Sequence, residues 1–273
     1  MLTLNRLLLA ASMCCLVATA NAAPIDDAID AQVRGDYVQA LNILRPLAAQ
    51  GDAWAPTFIG NMYRDGQGVT QNYQEALKWW RLAADQGSDA AQTLIGVMYY
   101  RGQGVTQNYQ EALKWWRLAA DQGTEGTAVA QYNIGELYHN GKGVAKNYQE
   151  ALKWFRLAAA QGSAAAQASI GVMYYRGQGV TQDHKEAGKW FRLAAEQGYA
   201  EAQVIIGVMY DKGQGVTQDY ASAHMWYNLA SSAGQADGAK NRDIIAKKMT
   251  PQQVEKAQDM ARACQARNFK GCR

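Results

Sequence analysis

Three histidines offer the most direct route to a metal or acid–base site, but their spacing argues against one. His139, His184 and His224 stand far apart, and none has a second histidine within one helical turn. A zinc site carried by one helix needs two ligands on the same face, so each histidine would have to meet ligands from elsewhere in the chain. We therefore predict isolated histidines, no metal site and no cofactor.

Serine-based and zinc-based hydrolysis have local sequence signatures that this chain lacks. The patterns Ser-x-x-Lys, Lys-Thr-Gly, Gly-x-Ser-x-Gly and His-Glu-x-x-His do not occur in the sequence. The recurring Gly-Gln-Gly-Val lacks the lysine that follows in a phosphate-binding loop. The sequence thus predicts a protein without catalytic residues.

The cysteines fall into two groups. Cys14 and Cys15 lie in residues 1–22, where a basic residue, an apolar run and a closing Ala-Asn-Ala are typical of a secretory signal peptide. A membrane anchor and lipid attachment are the competing interpretations, but the apolar run is shorter than the ~20 residues of a spanning helix. We expect cleavage and a periplasmic or secreted mature chain, in which Cys264 and Cys272 form a disulfide.

Charge gives little indication of a charged partner. The chain has 27 basic and 24 acidic side chains, for a formal net charge of +3. Such a balance supplies no basic footprint for nucleic acid or for an acidic membrane surface. We expect no nucleic-acid partner and no membrane insertion after signal cleavage.

The rest of the chain is organised by repetition. The string GQGVTQNYQEALKWWRLAADQG at residues 66–87 returns unchanged at residues 102–123. A tryptophan and a glycine recur with successive steps of 36, 39, 36 and 36 residues. These series are Trp79, Trp115, Trp154, Trp190 and Trp226, and Gly60, Gly96, Gly135, Gly171 and Gly207. Such a period predicts an all-α fold, a right-handed solenoid of helix-turn-helix repeats.

Each repeat reads as two helices joined by a Gly-x-Gly turn. The second helix starts at a capping pair such as Asn72 and Glu75 and carries a broad apolar stripe, widened by Trp79 and Leu82. The first helix contains an interior glycine such as Gly96, which costs about 1 kcal/mol relative to alanine and so indicates a close helix approach. We interpret the aromatic stripes as packed core.

The order of these landmarks resembles the Sel1-like repeat, a relative of the tetratricopeptide repeat. The landmarks are Ala-x-x-x-Ile-Gly-x-Met-Tyr, Gly-x-Gly-Val, Asn/Asp-Tyr, Ala-x-x-Trp, Ala-Ala and a final Gly. The five predicted repeats are residues 52–87, 88–123, 124–162, 163–198 and 199–234. Residues 23–51 predict a capping helical hairpin, and residues 235–273 predict closing helices.

The resemblance implies an exported scaffold or adaptor that binds a protein or peptide partner through the concave face of the array. A peptidoglycan or envelope-assembly adaptor is a variant of this interpretation. The alternative is a penicillin-binding or weakly hydrolytic protein, because residues 263–272 are similar to the paired-cysteine element of a cysteine-rich branch of the family.

Comparison of equivalent first-helix positions locates a candidate surface. Three positions of the first helix differ between repeats. They are spaced at i, i+4 and i+7, and because of this spacing they lie on one side of the helix. They line a partner-binding groove or are unconstrained surface. The candidate partner-binding residues are Arg64, Tyr100, Tyr132, Glu136, His139, Tyr175 and Asp211.

Overall fold

In the computed structural model, which describes residues 22–123 and 125–272, the chain is all-α. Fourteen α-helices and no strand occur in these residues, which confirms the predicted fold class. The helices are α1 (Ala22–Val33), α2 (Tyr37–Ala49), α3 (Ala55–Asp65), α4 (Tyr73–Asp85), α5 (Asp89–Arg101), α6 (Tyr109–Ala120), α7 (Ala128–Asn140), α8 (Tyr148–Ala160), α9 (Ala164–Arg176), α10 (His184–Ala195), α11 (Ala200–Lys212), α12 (Tyr220–Ser232), α13 (Ala236–Ala246) and α14 (Pro251–Ala266). The predicted signal segment, apart from Ala22, lies outside the described residues.

The helices form two compact bodies, divided between Ala145 and Lys146. The N-terminal body contains α1 to α7, and each of these helices packs against the next one along the chain. The C-terminal body contains α8 to α14, in which α12 packs against both α13 and α14. The division falls inside the third predicted repeat, whose first helix, α7, belongs to the N-terminal body and whose second helix, α8, belongs to the C-terminal body.

Local signals set the ends of the helices. The side chain of Asn72 accepts hydrogen bonds from the backbone N–H groups of Gln74 and Glu75, at 3.0 and 3.1 Å, and so starts α4. The Glu75 carboxylate turns outward instead of reaching back as in a capping box, and accepts from Lys78 at 2.5 Å. The reciprocal capping box forms at Thr250 and Gln253, at the start of α14.

The two glycines of each Gly-x-Gly turn have different structural roles. Gly102 ends α5 in the left-handed conformation, with φ of 67°, and its N–H donates to the carbonyl of Met98. Gly104 also has a positive φ, of 71°. In addition, it lies against the preceding repeat, because a Cβ atom on Gly104 would be only 2.7 Å from the Cβ atom of Tyr73. The second glycine therefore lets the turn of one repeat pack on the start of the second helix of the repeat before it.

The interior glycine of the first helix receives an aromatic ring. A Cβ on Gly96 would meet the Trp116 indole at 2.4 to 2.5 Å, which confirms the close approach expected from the sequence. The ring belongs to the second aromatic of each pair: Trp116 is buried, whereas Trp115 is half-buried. Leu82 was expected to widen the core stripe, and this prediction is wrong, because its side chain is 41% exposed on the outer side of α4.

The last helix covers the outer side of α12. Met225 stands where the four earlier repeats carry an exposed lysine, and it is fully buried. Leu229, the equivalent of Leu82, is buried in the same cluster as Ala261 of α14. The C-terminal segment therefore closes the array with apolar contacts that the earlier repeats leave to solvent.

The sulfur atoms of Cys264 and Cys272 lie at disulfide distance, with Cα atoms 5.3 Å apart. Both side chains are buried with Phe191 and Leu229. The backbone carbonyl of Cys272 accepts a hydrogen bond from the Arg192 guanidinium of α10 at 3.1 Å. The cysteine loop is thus tied both to α14 and to the preceding repeat.

Candidate functional site

Tyr100, a predicted site residue at the end of α5, contacts two aromatic rings and a lysine. Its ring makes an edge contact with Tyr109, at a centroid distance of 5.2 Å, and a tilted contact with Trp116 at 5.7 Å. Its hydroxyl accepts a hydrogen bond from the Lys142 ammonium at 2.8 Å, and the ammonium lies 4.9 Å from the ring centroid. Tyr100 is therefore held in place by residues of its own and the following repeat.

Helix α7, in the following repeat, carries three further predicted site residues. Tyr132, Glu136 and His139 lie at i, i+4 and i+7 and are half-buried. The Glu136 carboxylate accepts a hydrogen bond from the Asn140 side-chain NH₂ at 3.0 Å. The Oδ1 atom of Asn140 lies 3.2 Å from His139 Nδ1. These contacts hold a carboxylate and an imidazole in the last turns of α7, shortly before Lys142 in the chain.

Lys142 interacts electrostatically with both Tyr100 and Glu136. The hydrogen bond to the Tyr100 hydroxyl raises the pKa of Lys142, and the charge of Glu136 acts in the same direction with a smaller effect. The ammonium is therefore charged at neutral pH while it rests on an aromatic surface. Tyr100, Glu136, His139 and Lys142 are called the Tyr100 cluster below.

Arg64, the first predicted site residue, does not join this cluster. Its guanidinium makes an ion pair with Asp65 at 2.7 Å and lies 5.9 Å from the centroid of the Trp80 ring. Thr57 and Thr93 occupy the first-helix position that is equivalent to Tyr132. Both are buried, and their backbone carbonyls accept hydrogen bonds from the indoles of Trp80 and Trp116, so these two positions are not free surface.

In the C-terminal body, Tyr175 and Asp211 make contacts within the body itself. The Tyr175 hydroxyl donates to Gln214 Oε1 at 2.8 Å, and its ring packs on His184 at 4.7 Å. Asp211 forms an ion pair with Lys248 at 3.3 Å. Tyr175 thus joins two repeats, and Asp211 helps to hold the closing segment.

A comparison with protein families finds the Sel1 repeat in five consecutive segments of the chain, at residues 57–88, 89–124, 128–163, 164–199 and 200–235. These matches together span more than half of the sequence. The chain belongs to the Sel1 repeat family. Sel1 repeat proteins typically act as protein-interaction scaffolds and are generally non-catalytic.

Solved structures support this assignment. A Sel1 repeat protein from Oxalobacter formigenes is 34% identical, with a TM-score of 0.76, and the match covers 88% of this chain and 99% of that one. A protective antigen of uropathogenic Escherichia coli with the same type of repeat is 29% identical, with a TM-score of 0.54, and the match covers 90% of this chain and 62% of that one. No curated protein matches the chain.

Reasoning from the sequence missed Lys142 in this Sel1 repeat protein. The residue lies between the two glycines of a turn, a position excluded from the first-helix comparison. A signal was nevertheless present, because the same position is glutamine in the other four repeats. In the C-terminal body Gln214 shows what the usual residue does there, since it contacts Tyr175 as Lys142 contacts Tyr100.

Two serines of this Sel1 repeat protein have structural roles. Ser88 and Ser163 accept hydrogen bonds from the third residue after them and cap α5 and α9. His224 is buried in α12. Within residues 22–123 and 125–272, no group of three or more metal-ligating side chains comes together, and no helix has the length and apolar character needed to cross a membrane.

Proposed function

We propose that this chain is an exported, non-catalytic scaffold that binds a protein or peptide partner through the Tyr100 cluster. The observation that carries the proposal is the concentration of departures from the repeat in one place. Glu136 stands at a position that is valine in three other repeats, His139 at one that is tyrosine in two, and Lys142 at one that is glutamine in all four. A repeat that served only to extend the array would need none of these changes.

The chemistry of the cluster suits recognition. It offers a carboxylate, an imidazole and an ammonium that lies on the Tyr100 ring, and each polar group is half-buried and contacts a neighbour. Aromatic residues that bury a large area and polar groups that are fixed before binding reduce the entropy lost on association. The cluster therefore supports binding to a partner that presents both polar and apolar groups.

Export is supported by the signal-like composition of residues 1–22 and by the cysteine pair at disulfide distance. We expect the chain in the periplasm or the medium, in a form that has lost residues 1–22. Cell fractionation with mass measurement of the intact protein tests this, and a full-length chain in the cytoplasm would contradict it.

The partner is first recovered with the mature protein as bait in the envelope and secreted fractions, and affinity is then measured with purified components. The test variant carries Glu136→Val, His139→Tyr and Lys142→Gln together. Each replacement is a residue that the same fold already accepts at an equivalent position. We expect an almost unchanged melting temperature and an affinity loss of about thirtyfold or more, since hot-spot residues contribute about 2 kcal/mol or more.

The matched control reverses Lys78 and Lys114 to glutamate on the outer sides of α4 and α6. Their side chains are 69% and 71% exposed, so the change in charge should leave both folding and binding intact. If the triple variant still binds and the lysine control does not, the partner binds instead to the exposed sides of α4 and α6.

A further inference from the structure

The outer side of α10 borders a depression that the Tyr100 cluster does not explain. Its volume is about 440 Å³. Its apolar wall consists of Gly188 and Leu193 of α10 and of Gly215 and Val216, which lie in the turn before α12. These residues belong to the C-terminal body, whereas the Tyr100 cluster lies in the N-terminal body. This separate candidate site is called the Gly188 depression below.

The Gly188 depression lies where a buried leucine is missing. Gly188 stands at a position that is leucine in the three repeats before it, and these leucines are at most 8% exposed. They are Leu77, Leu113 and Leu152. In the fifth repeat the position is His224, which is also buried. The fold thus holds a large side chain at this position in every repeat except the fourth.

The neighbours of the missing leucine are still present. In the N-terminal body Leu77 lies in one buried cluster with Met98, and Val105 packs against that cluster. The equivalent residues of the fifth repeat, Met209 and Val216, again lie in and against a buried cluster. A Cβ added to the glycine would meet only the terminal methyl of Met209, at 3.1 Å, and this flexible end can shift. An apolar group that enters beside Val216 therefore meets the surface that a leucine covers elsewhere.

The glycine itself lowers stability in two ways. A glycine inside a helix is less favourable than a leucine, and the lost side chain leaves apolar surface in contact with water. A group of another molecule that covers this surface recovers part of the lost contact. The volume of the depression falls within the usual range for binding sites.

Two polar side chains on the wall suit a peptide backbone. Arg192 and Glu196 lie one turn apart on α10 and line the depression. The Arg192 guanidinium donates to the Cys272 carbonyl at 3.1 Å and to the Tyr210 hydroxyl at 2.6 Å, which leaves three of its five N–H groups. A peptide group that lies here can accept from Arg192 and donate to Glu196. A purely aliphatic ligand would use neither side chain.

The shape of the Gly188 depression favours a chain over a compact molecule. Its wall on α10 runs from Lys185 to Glu196, which is about three helical turns and ~16 Å. A segment of about five extended residues covers the same distance. A neighbouring depression of about 810 Å³ shares Arg192, Glu196 and Val216, so the two adjoin along the same helix.

We propose that the Gly188 depression binds a peptide segment of a partner protein, and that a leucine side chain of this segment takes the place of the missing leucine. The isobutyl group lies against Gly188 and Val216, and an adjoining peptide group forms hydrogen bonds with Arg192 and Glu196. The site is distinct from the Tyr100 cluster and does not rest on the function proposed for that cluster.

The test follows the ¹³C-labelled methyl groups of Val216 by NMR in the oxidised mature protein, with their signals assigned from the Val216→Ile variant. The probes are acetyl-Ala-Leu-Ala-amide, acetyl-Ala-Ala-Ala-amide and 3-methyl-1-butanol. All three are uncharged, since Lys189 on the wall is already paired with Glu186 at 2.6 Å. We expect a saturable shift with the leucine peptide. Affinity should be lower by about tenfold or more for the other two probes, which lack either the isobutyl group or the peptide groups.

Two variants with an added leucine make the result specific. Gly188→Leu restores the residue of three earlier repeats, so it should preserve the melting temperature and lower the affinity for the leucine peptide by about tenfold or more. Ala160→Leu adds the same side chain to an exposed position of α8 and should bind normally. The triple variant of the Tyr100 cluster should also bind this peptide normally, so failure of one site is distinguishable from failure of the other.

Leu193→Ala tests the site without a change in the core, because this side chain is 47% exposed on the wall of the depression. Its truncation should lower the affinity for the leucine peptide by about threefold or more. The proposal is overturned if the leucine peptide does not move the Val216 signals, or if the alanine peptide or the alcohol binds as tightly. It is also overturned if Gly188→Leu binds the leucine peptide as well as Ala160→Leu does, or if Leu193→Ala binds it like the unchanged protein.

Discussion

At the scale of single residues, the interior glycines show how an absent side chain can determine packing. Gly96 receives the face of the Trp116 indole, and the Trp116 N–H donates to the Thr93 carbonyl one turn earlier in α5, at 3.0 Å. A methyl group at Gly96 would have to displace a buried ring that is also hydrogen-bonded. The glycine is therefore a requirement of the fold in spite of its poor helix propensity.

We predict that Gly96→Ala lowers the free energy of unfolding by about 1 to 3 kcal/mol, because the buried indole cannot yield without loss of packing. Gly188→Ala is the matched control. It also lies in a helix, but an added Cβ there meets only the flexible end of Met209, at 3.1 Å. This change should be neutral or stabilising by up to about 1 kcal/mol. Thermal and denaturant unfolding measure both, and equal effects would refute the packing argument.

His224 is a second residue whose environment leads to a prediction. It is buried, its Nδ1 has no partner among the described residues, and it stands where three earlier repeats carry leucine. Burial lowers the pKa of His224 below its usual 6.5, and the charge of Arg242 on α13 acts in the same direction, whereas Asp243 opposes it.

Because the pKa of His224 is lower in the folded chain, the unfolded chain binds the proton first as the pH falls. The stability contribution is therefore complete above a pH of about 6.5 and is lost progressively below it. We predict that His224→Leu reduces the fall in melting temperature between neutral and mildly acidic pH. Melts of both proteins across this range measure the difference, and parallel curves would show that other groups cause the acid sensitivity.

At the scale of elements, the closing helix shows how the outer side of a repeat is converted into core. In the earlier repeats this side carries an ion pair such as Glu75 with Lys78 and an exposed leucine. In α12 the charged positions become Ser222 and Met225, and α14 covers the leucine. The cysteine loop then fastens the end of α14 to α10.

We predict that Cys264 and Cys272 are oxidised in the native protein and that the double change to alanine removes about 2 to 3 kcal/mol of stability, as expected for a short closed loop. Because the loop holds one end of α14, amide hydrogen exchange should accelerate first in that helix. Thiol labelling of the unfolded, unreduced protein should detect no free thiol from this pair. Two free thiols per mature chain in protein taken from the periplasm or medium would contradict the prediction.

At the scale of the whole molecule, repetition explains why chemistry is sparse. Each copy of a repeat places the same residues in the same local environment, so unlike catalytic groups do not converge by copying alone. Ser88 and Ser163 illustrate this, because they occupy equivalent positions and both cap a helix. Departures that carry a function are therefore expected in single repeats, and Lys142 is the departure on which the proposed function rests.

We predict that the mature protein does not hydrolyse β-lactams, since acyl transfer requires an activated nucleophile next to a base and an oxyanion site. Turnover of nitrocefin by highly purified protein is the measurement. Saturable turnover that is lost on replacement of a single residue would establish the penicillin-binding alternative, whereas turnover that is insensitive to every such change would indicate a contaminant.

The sequence by itself determined the repeat, its two helices and their ends. These features depend on interactions between residues that are close in the chain, such as Asn72 with the first turn of α4 and Gly102 at the end of α5. It also indicated a close helix approach at Gly96, because an interior helical glycine that recurs with the period has a packing reason.

Only the tertiary structure decided which neighbour each residue meets. Helical spacing places Trp115 and Trp116 on adjacent parts of one surface, but the packing of α6 against Gly96 of α5 places Trp116 in the core. Contacts between successive repeats, such as Lys142 with Tyr100, join residues far apart in the sequence, so no local period reveals them. The position of the cysteine loop depends on the same kind of information, because the Arg192 side chain donates to the backbone carbonyl of Cys272, which lies 80 residues later in the chain.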